Sequence, residues 1–90
     1  MAKIDAATIR AKAEQITTAQ PAMKLGMAKV LRVQVDALIV QLNTQYAWLN
    51  DHPNDPRAEA FEAQWIADVK HYEAACDVLA GIATQQELAA

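Results

Sequence analysis

The stretch Asp51-His52-Pro53-Asn54-Asp55-Pro56 divides the chain into two long segments that both have helical sequence patterns. Proline has no backbone N–H and clashes with the preceding helical turn, so two prolines this close together end one helix before another begins. Asp55 is a favourable N-cap and Pro56 a favourable first helical residue, which predicts a helix over about residues 56–88. The stretch therefore predicts the corner of a long antiparallel helical hairpin.

Upstream of this corner, the pattern predicts two helices, over about residues 21–50 and 5–18. Pro21 suits the first turn of the longer helix, and Gln20 before it is biased away from helical geometry. Asp5 is a good N-cap for the shorter helix, with Ile4 and Ile9 at the two positions of a hydrophobic staple. One continuous helix with a kink near residue 20 is the alternative. The predicted fold is all-α: a single domain, residues 1–90, in which a short N-terminal helix precedes the hairpin.

The helix predicted over residues 21–50 has two apolar faces when successive residues are turned by about 100°. The first face consists of Leu31, Val35, Leu38, Leu42 and Leu49. The second face consists of Val30, Val33, Ala37, Val40 and Trp48. A strip of glutamines lies between them: Gln34, Gln41 and Gln45. Such a helix needs neighbours on two sides, so we expect oligomerisation to complete the bundle through the second face, with Trp48 as a candidate hot spot.

The third helix supplies the expected partner for the leucine face. Its stripe has spacings of three and four, typical of a packed helical seam. The stripe consists of Ala58, Phe61, Trp65, Val69, Tyr72, Cys76, Leu79 and Ala83. Folding the chain about residue 53 predicts that Arg32 lies opposite Glu73 and that Lys29 lies opposite Asp77.

Composition narrows the class of protein. The chain has 90 residues, is 53% hydrophobic and contains two glycines, which is typical of a folded helical domain that leaves much of its surface exposed unless it associates. No apolar run reaches the roughly 18 residues that a membrane span requires. The N-terminus lacks the apolar stretch of a secretion signal, and the one cysteine, Cys76, cannot form an internal disulfide, so we expect a cytoplasmic setting.

The residues that most often carry chemistry form no catalytic or metal-binding pattern in this sequence. Asp51, His52 and Asp55 are ligand types at the corner, but a metal site needs a further ligand that the sequence does not supply. His71 lies three residues after Asp68 with no nucleophile or glycine-rich loop nearby, and is expected to be half-buried between helices. Cys76 is expected in the core. We therefore predict no catalytic residue, no cofactor and no metal, and a protein that is not an enzyme.

Charge is segregated along the chain. Residues 1–35 hold six basic and two acidic residues, whereas residues 36–90 hold two basic and nine acidic ones. The basic residues are too sparse for duplex nucleic acid, and the net charge of −3 argues against that partner. Lys24, Lys29 and Arg32 remain candidates for binding a small anion.

Two hypotheses of function follow from these patterns. The first is a non-enzymatic helical module that self-associates and binds another protein, as an adaptor, an inhibitor or an assembly factor. The second is an oligomer that binds a small anionic ligand, such as a nucleotide, at subunit boundaries. In the second case Lys24, Lys29 or Arg32 supplies charge and Tyr46 or Trp48 a stacking surface.

Overall fold

The computed structural model describes the backbone of residues 3–89 and the side chains of residues 3–84. Three helices account for most of this part of the chain: α1 spans Ala6–Thr17, α2 spans Pro21–Asp51 and α3 spans Ala58–Ala89. The prediction of an all-α fold, with a short helix before a long hairpin, is confirmed. Residues 1, 2 and 90 of the predicted domain lie outside the described residues.

The junction between α1 and α2 is a true break between two helices, so the alternative of one kinked helix is wrong. Asp5 caps α1, since its carboxylate accepts the Ala7 N–H at 3.1 Å. Gln20 is extended, with φ −63° and ψ 143°, as expected for a residue that precedes a proline. Pro21 then begins α2. This local geometry lets α1 fold back along the hairpin.

The corner between α2 and α3 differs in detail from the prediction, because α3 begins at Ala58 rather than at Pro56. The Asp55 carboxylate accepts the Arg57 N–H at 2.8 Å, as an N-cap does. The Ala58 N–H bonds the Asp55 carbonyl at 2.9 Å, three residues back. That spacing makes a tighter turn than an α-helix, so regular α-helical geometry starts only at Ala58.

The core lies where the three helices meet, because α1 packs against both arms of the hairpin. The buried apolar residues are Ala6, Ile9, Ala13 and Ile16 of α1, Ala28, Leu31, Val35, Leu38 and Leu42 of α2, and Ala75 and Leu79 of α3. The leucine face predicted for α2 is therefore buried, apart from Leu49, which is half-buried near the corner. Burial of this kind contributes about 25 cal/mol per Å² and is the main stabilising term.

The face of α3 that is most buried differs from the predicted stripe. Leu79 is the one stripe residue that is fully buried, whereas Asp68 and Ala75 beside the stripe are buried as well. The reason is that α1 also packs on α3, which moves the centre of its buried face to a line between its two neighbours. Ala75 lies on that line.

The charge pairs predicted across the hairpin, Arg32 with Glu73 and Lys29 with Asp77, are not formed. Within residues 3–84 the salt bridges are Arg10–Glu14 and Arg57–Asp55, and neither joins α2 to α3. The register is set by apolar and backbone contacts instead, among them the Trp65 Nε1–H, which donates to the Leu42 carbonyl at 3.0 Å.

Candidate interaction surface

The side of α2 that faces away from the core carries exposed valines. Val30, Val33 and Val40 are 62%, 69% and 64% exposed, and Ala37 between them is exposed as well. These residues lie on the helix surface roughly opposite Leu42, which is buried. The structure thus brings four of the five predicted interface residues together on one open face.

This apolar face extends beyond the five residues predicted for the interface. Spacings of three and four continue in both directions from the valines, and every residue at these positions is exposed. We call the whole stripe the valine seam: Met23, Gly26, Val30, Val33, Ala37, Val40, Thr44 and Ala47. The heptad spacing through Gly26 and Thr44 is the sequence feature that predicts this extension. Neither residue is strongly apolar, so neither indicates an interface by itself.

Trp48, the fifth predicted interface residue, packs within the chain. Its ring lies 5.0 Å from that of Phe61 and stacks on the His52 ring at 4.6 Å, between centroids. The Arg57 guanidinium lies 5.6 Å from the centre of the Trp48 ring. Trp48 is therefore half-buried in a corner cluster of α2 and α3, and Ala47 continues the exposed stripe in its place.

α1 runs beside one flank of the valine seam. Two shallow apolar grooves of about 330 and 310 Å³ separate α1 from the seam, and Lys12 and Gln34 line both of them. Gln41 fixes this arrangement, since its amide accepts from the Ile4 N–H and donates to the Ile4 carbonyl, each at 2.9 Å. α1 thus covers Gln34 and Gln41 of the glutamine strip and leaves the valines open.

The predicted anion-binding residues are only partly brought together. Lys29 and Arg32 line an open groove of about 280 Å³ with apolar walls, which we call the basic groove. Lys24 is not one of its lining residues. The walls are Leu25, Ala28, Leu79, Ile82 and Ala83. Tyr46 lies 14 residues beyond Arg32 on the same helix, about 21 Å away at 1.5 Å per residue. Within one chain, a small ligand bound by Arg32 cannot also stack on Tyr46 or Trp48.

The titratable residues of α3 contact different partners. His71 is half-buried between α1 and α3, as predicted, with its Nδ1 3.4 Å from an Arg10 guanidinium nitrogen. Buried Asp68 accepts from Gln64 Nε2 at 2.9 Å rather than pairing with His71. A hydrogen bond with Cys76, together with partial burial, raises the pKa of Tyr72. The Arg10–His71 contact joins α1 to α3, the other two lie within α3, and none of them pairs His71 with Asp68.

Two of the candidate ligands at the corner, His52 and Asp55, are likewise engaged with different partners. Asp55 is bound to Arg57, whose hydrogen bonds lower the pKa of Asp55 to about 2, and His52 Nδ1 lies 2.9 Å from the Trp48 carbonyl oxygen. Among the side chains that the structure describes, no three His, Cys, Asp or Glu residues are grouped as metal ligands. In the same part of the chain, no helix is both long and apolar enough to cross a lipid bilayer.

Comparison with known proteins gives no relative from which a function can be transferred. No family model matches the chain, no curated protein matches it, and no solved structure matches it. The valine seam and the basic groove are therefore the features on which a function can be argued.

Proposed function

We propose that this protein is a non-enzymatic helical interaction module that self-associates through the valine seam and, once assembled, binds another protein as an adaptor, inhibitor or assembly factor. The observation that carries this proposal is the exposure of Val30, Val33 and Val40 along one face of α2. A contiguous exposed apolar surface on a small protein is characteristic of an interface.

The valine seam is not part of the core of the single chain, so packing in the core does not explain why the seam residues are apolar. Its valines face away from Leu31, Leu38 and Leu42, which fill the core. Fully burying a valine or similar side chain is worth about 1.5–3 kcal/mol, so docking of a second helix on the seam gains a free energy that the single chain leaves unused. Association is the straightforward way to realise it.

The positions of the reactive residue types also support an interaction role. Cys76 contacts Tyr72, and His71 contacts Arg10 on a different side of α3. A nucleophile and its base must lie within hydrogen-bonding reach of each other, and these two residues are engaged elsewhere. We place the protein in the cytoplasm, because a lone, half-buried cysteine fits a reducing compartment.

Solution mass tests the proposal. Light scattering on a sizing column should give a multiple of 9.8 kDa that falls towards the mass of one chain on dilution. Val33→Glu places a charge in the middle of the seam on a good helix former, and we expect it to give single chains at concentrations where the natural protein is assembled.

Ile66→Glu is the matched control, since Ile66 is an exposed apolar residue on α3, outside the seam. We expect this variant to assemble like the natural protein. If the natural protein has the mass of one chain at every concentration, or if Ile66→Glu dissociates it as readily as Val33→Glu, the proposed function is wrong.

The basic groove favours a second candidate function, the binding of a small anion such as a nucleotide. Lys29 and Arg32 at the rim and Leu79 and Ile82 on the wall offer charge beside an apolar surface. Titration calorimetry with adenosine triphosphate tests this function. Binding that Arg32→Gln abolishes without a change in mass supports the groove, whereas no heat of binding to the natural protein rules it out.

A further inference from the structure

The valine seam has the spacing of a two-stranded coiled coil, which assigns each residue a heptad position. Met23, Val30, Ala37 and Thr44 are at a positions, and Gly26, Val33, Val40 and Ala47 are at d positions. A second helix that docks on this seam places its own a and d residues against these. Its orientation and register are then decided by the residues that flank the seam.

The two flanks of the seam differ in charge. On the flank nearer α1, the e positions are uncharged and half-buried: Met27, Gln34, Gln41 and Trp48. On the other flank, the g positions are exposed: Lys29, Asp36, Asn43 and Asn50. Lys29 and Asp36 lie one heptad apart, about 10.5 Å along the helix, which is too far for a bridge within the chain. Within residues 3–84, neither residue forms a salt bridge.

Orientation decides what these two charges meet in a second copy of the chain. In a parallel pair, g residues face e residues of the other helix, so Lys29 faces Gln34 and Asp36 faces Gln41. In an antiparallel pair, g residues face g residues. With Val30 opposite Val33 of the second copy, Lys29 faces Asp36 of that copy, and symmetry forms the same pair a second time.

Register is also decided by these charges. A slip of one heptad in one direction brings Asp36 opposite Asp36 of the second copy, and a slip in the other direction brings Lys29 opposite Lys29. Like charges at these positions destabilise the pairing, whereas opposite charges stabilise it. Of these neighbouring registers, one alone is complementary.

We propose that the partner on the valine seam is a second copy of this chain, docked antiparallel with Val30 opposite Val33 and with two Lys29–Asp36 pairs along one edge. In this register Gly26 lies opposite Ala37, and these small residues let the helices approach closely. Met23 lies opposite Val40, so the contact covers about 18 residues, or about 27 Å, of each helix. This inference rests on the proposed self-association and adds its orientation and register.

Disulfide trapping tests the orientation. In a Cys76→Ser background, chains with Met23→Cys are mixed with chains with Val40→Cys and oxidised with a glutathione buffer. We expect covalent dimers of the mixed type, since the two cysteines face each other in the proposed register. In a parallel pair, Met23→Cys chains link to themselves, because the unlike cysteines then lie about 25 Å apart.

Charge exchange tests the register. Lys29→Asp sets two aspartates opposite each other twice in the dimer, and we expect the dissociation constant to rise about tenfold, with a similar rise for Asp36→Lys. The double variant Lys29→Asp/Asp36→Lys restores both pairs and should return to near the natural value. Arg32→Gln, a nearby loss of charge outside the seam flank, should leave the constant unchanged.

The outcomes separate this inference from the proposed function. A natural protein that stays a single chain at every concentration overturns both. A dimer in which Met23→Cys chains link to themselves, or in which the double variant is as weak as the single ones, overturns the orientation and register and leaves the self-association standing. Circular dichroism of each variant shows that loss of the dimer is not loss of the fold.

Discussion

Gln41 and Gln34 are on the same strip of α2 but have opposite effects on the stability of the fold. The Gln41 amide satisfies both backbone polar groups of Ile4 and so holds the start of α1 against α2. Gln34, one heptad earlier, has a buried Oε1 with no hydrogen-bond partner among the described residues. A buried polar atom without a partner costs free energy, whereas a paired one stabilises modestly. The two glutamines should therefore respond differently to the same substitution.

Gln41→Leu should lower the free energy of unfolding by about 1–3 kcal/mol, because it leaves the Ile4 N–H and carbonyl without their partner. Gln34→Leu is the matched control and should leave the stability unchanged or raise it, since it removes an unpaired carbonyl. Denaturant unfolding at a protein concentration low enough to keep the chains apart measures both. Equal losses for the two variants would contradict the assignment of Gln41 as the tie between α1 and α2.

At the scale of the element, an ion pair at the corner accompanies the cap at the start of α3. Arg57 approaches Asp55 through its backbone N–H and through its guanidinium, at 2.8–3.1 Å. The pKa of Asp55 is lowered to about 2 by these hydrogen bonds. Because the folded chain holds this carboxylate ionised, its contribution to stability is present above about pH 4 and is lost as the pH falls through about 2.

Arg57→Gln removes the guanidinium, and we expect the pKa of Asp55 to rise towards its ordinary value of 3.8. A carbon-detected nuclear magnetic resonance titration of the side-chain carboxyl groups measures this directly. Arg32→Gln, which removes an arginine far from the corner, should leave the titration of Asp55 unchanged. If the midpoint of Asp55 is the same in the natural protein and in Arg57→Gln, the corner is not organised by this pair.

At the scale of the whole molecule, the three helices lie side by side along only part of the long axis. The molecule measures 52 × 21 × 20 Å, whereas the 12 residues of α1 span about 18 Å. The contact of Arg10 with His71, and that of Ile4 with Gln41, place α1 beside the middle of the hairpin. The corner end is therefore a two-helix structure, held by packing of Trp48 on Phe61 and of Tyr46 on Trp65.

Protection from amide hydrogen exchange should follow this difference in packing. We expect the slowest exchange in residues 31–42 and 68–79, where each helix has two neighbours, and faster exchange in residues 46–51 and 58–63. The comparison is made under dilute conditions, in which the chains are apart. Uniform protection along both arms of the hairpin would contradict the prediction that the segments packed against α1 are the most stable.

Much of this fold could be predicted from a few residues. Pro21, Pro53 and Pro56 mark the helix boundaries because proline restricts the backbone wherever it occurs. The leucine face of α2 and the exposed valines follow from the period of an α-helix.

The docking of α1 could not be predicted in the same way. Its site on α2 is the glutamine strip, whose polar side chains give no signal of a packing surface. The burial of Asp68 is set by contacts between elements that are distant in sequence, and the periodicity of a single helix carries no information about it. For the same reason the helical period places Trp48 with the valines, although its neighbour in the structure, Phe61, is on another helix.

The separation of the leucine face from the valine seam on α2 also has a consequence for how such a protein can change over generations. The seam valines are exposed and fill none of the core, so a substitution at one of them should leave the interior intact. A lineage could then exchange one binding partner for another while every descendant still folds. On α2, the leucine face would then stay constant among the descendants because it forms the core, whereas the valine seam would vary with the binding partner.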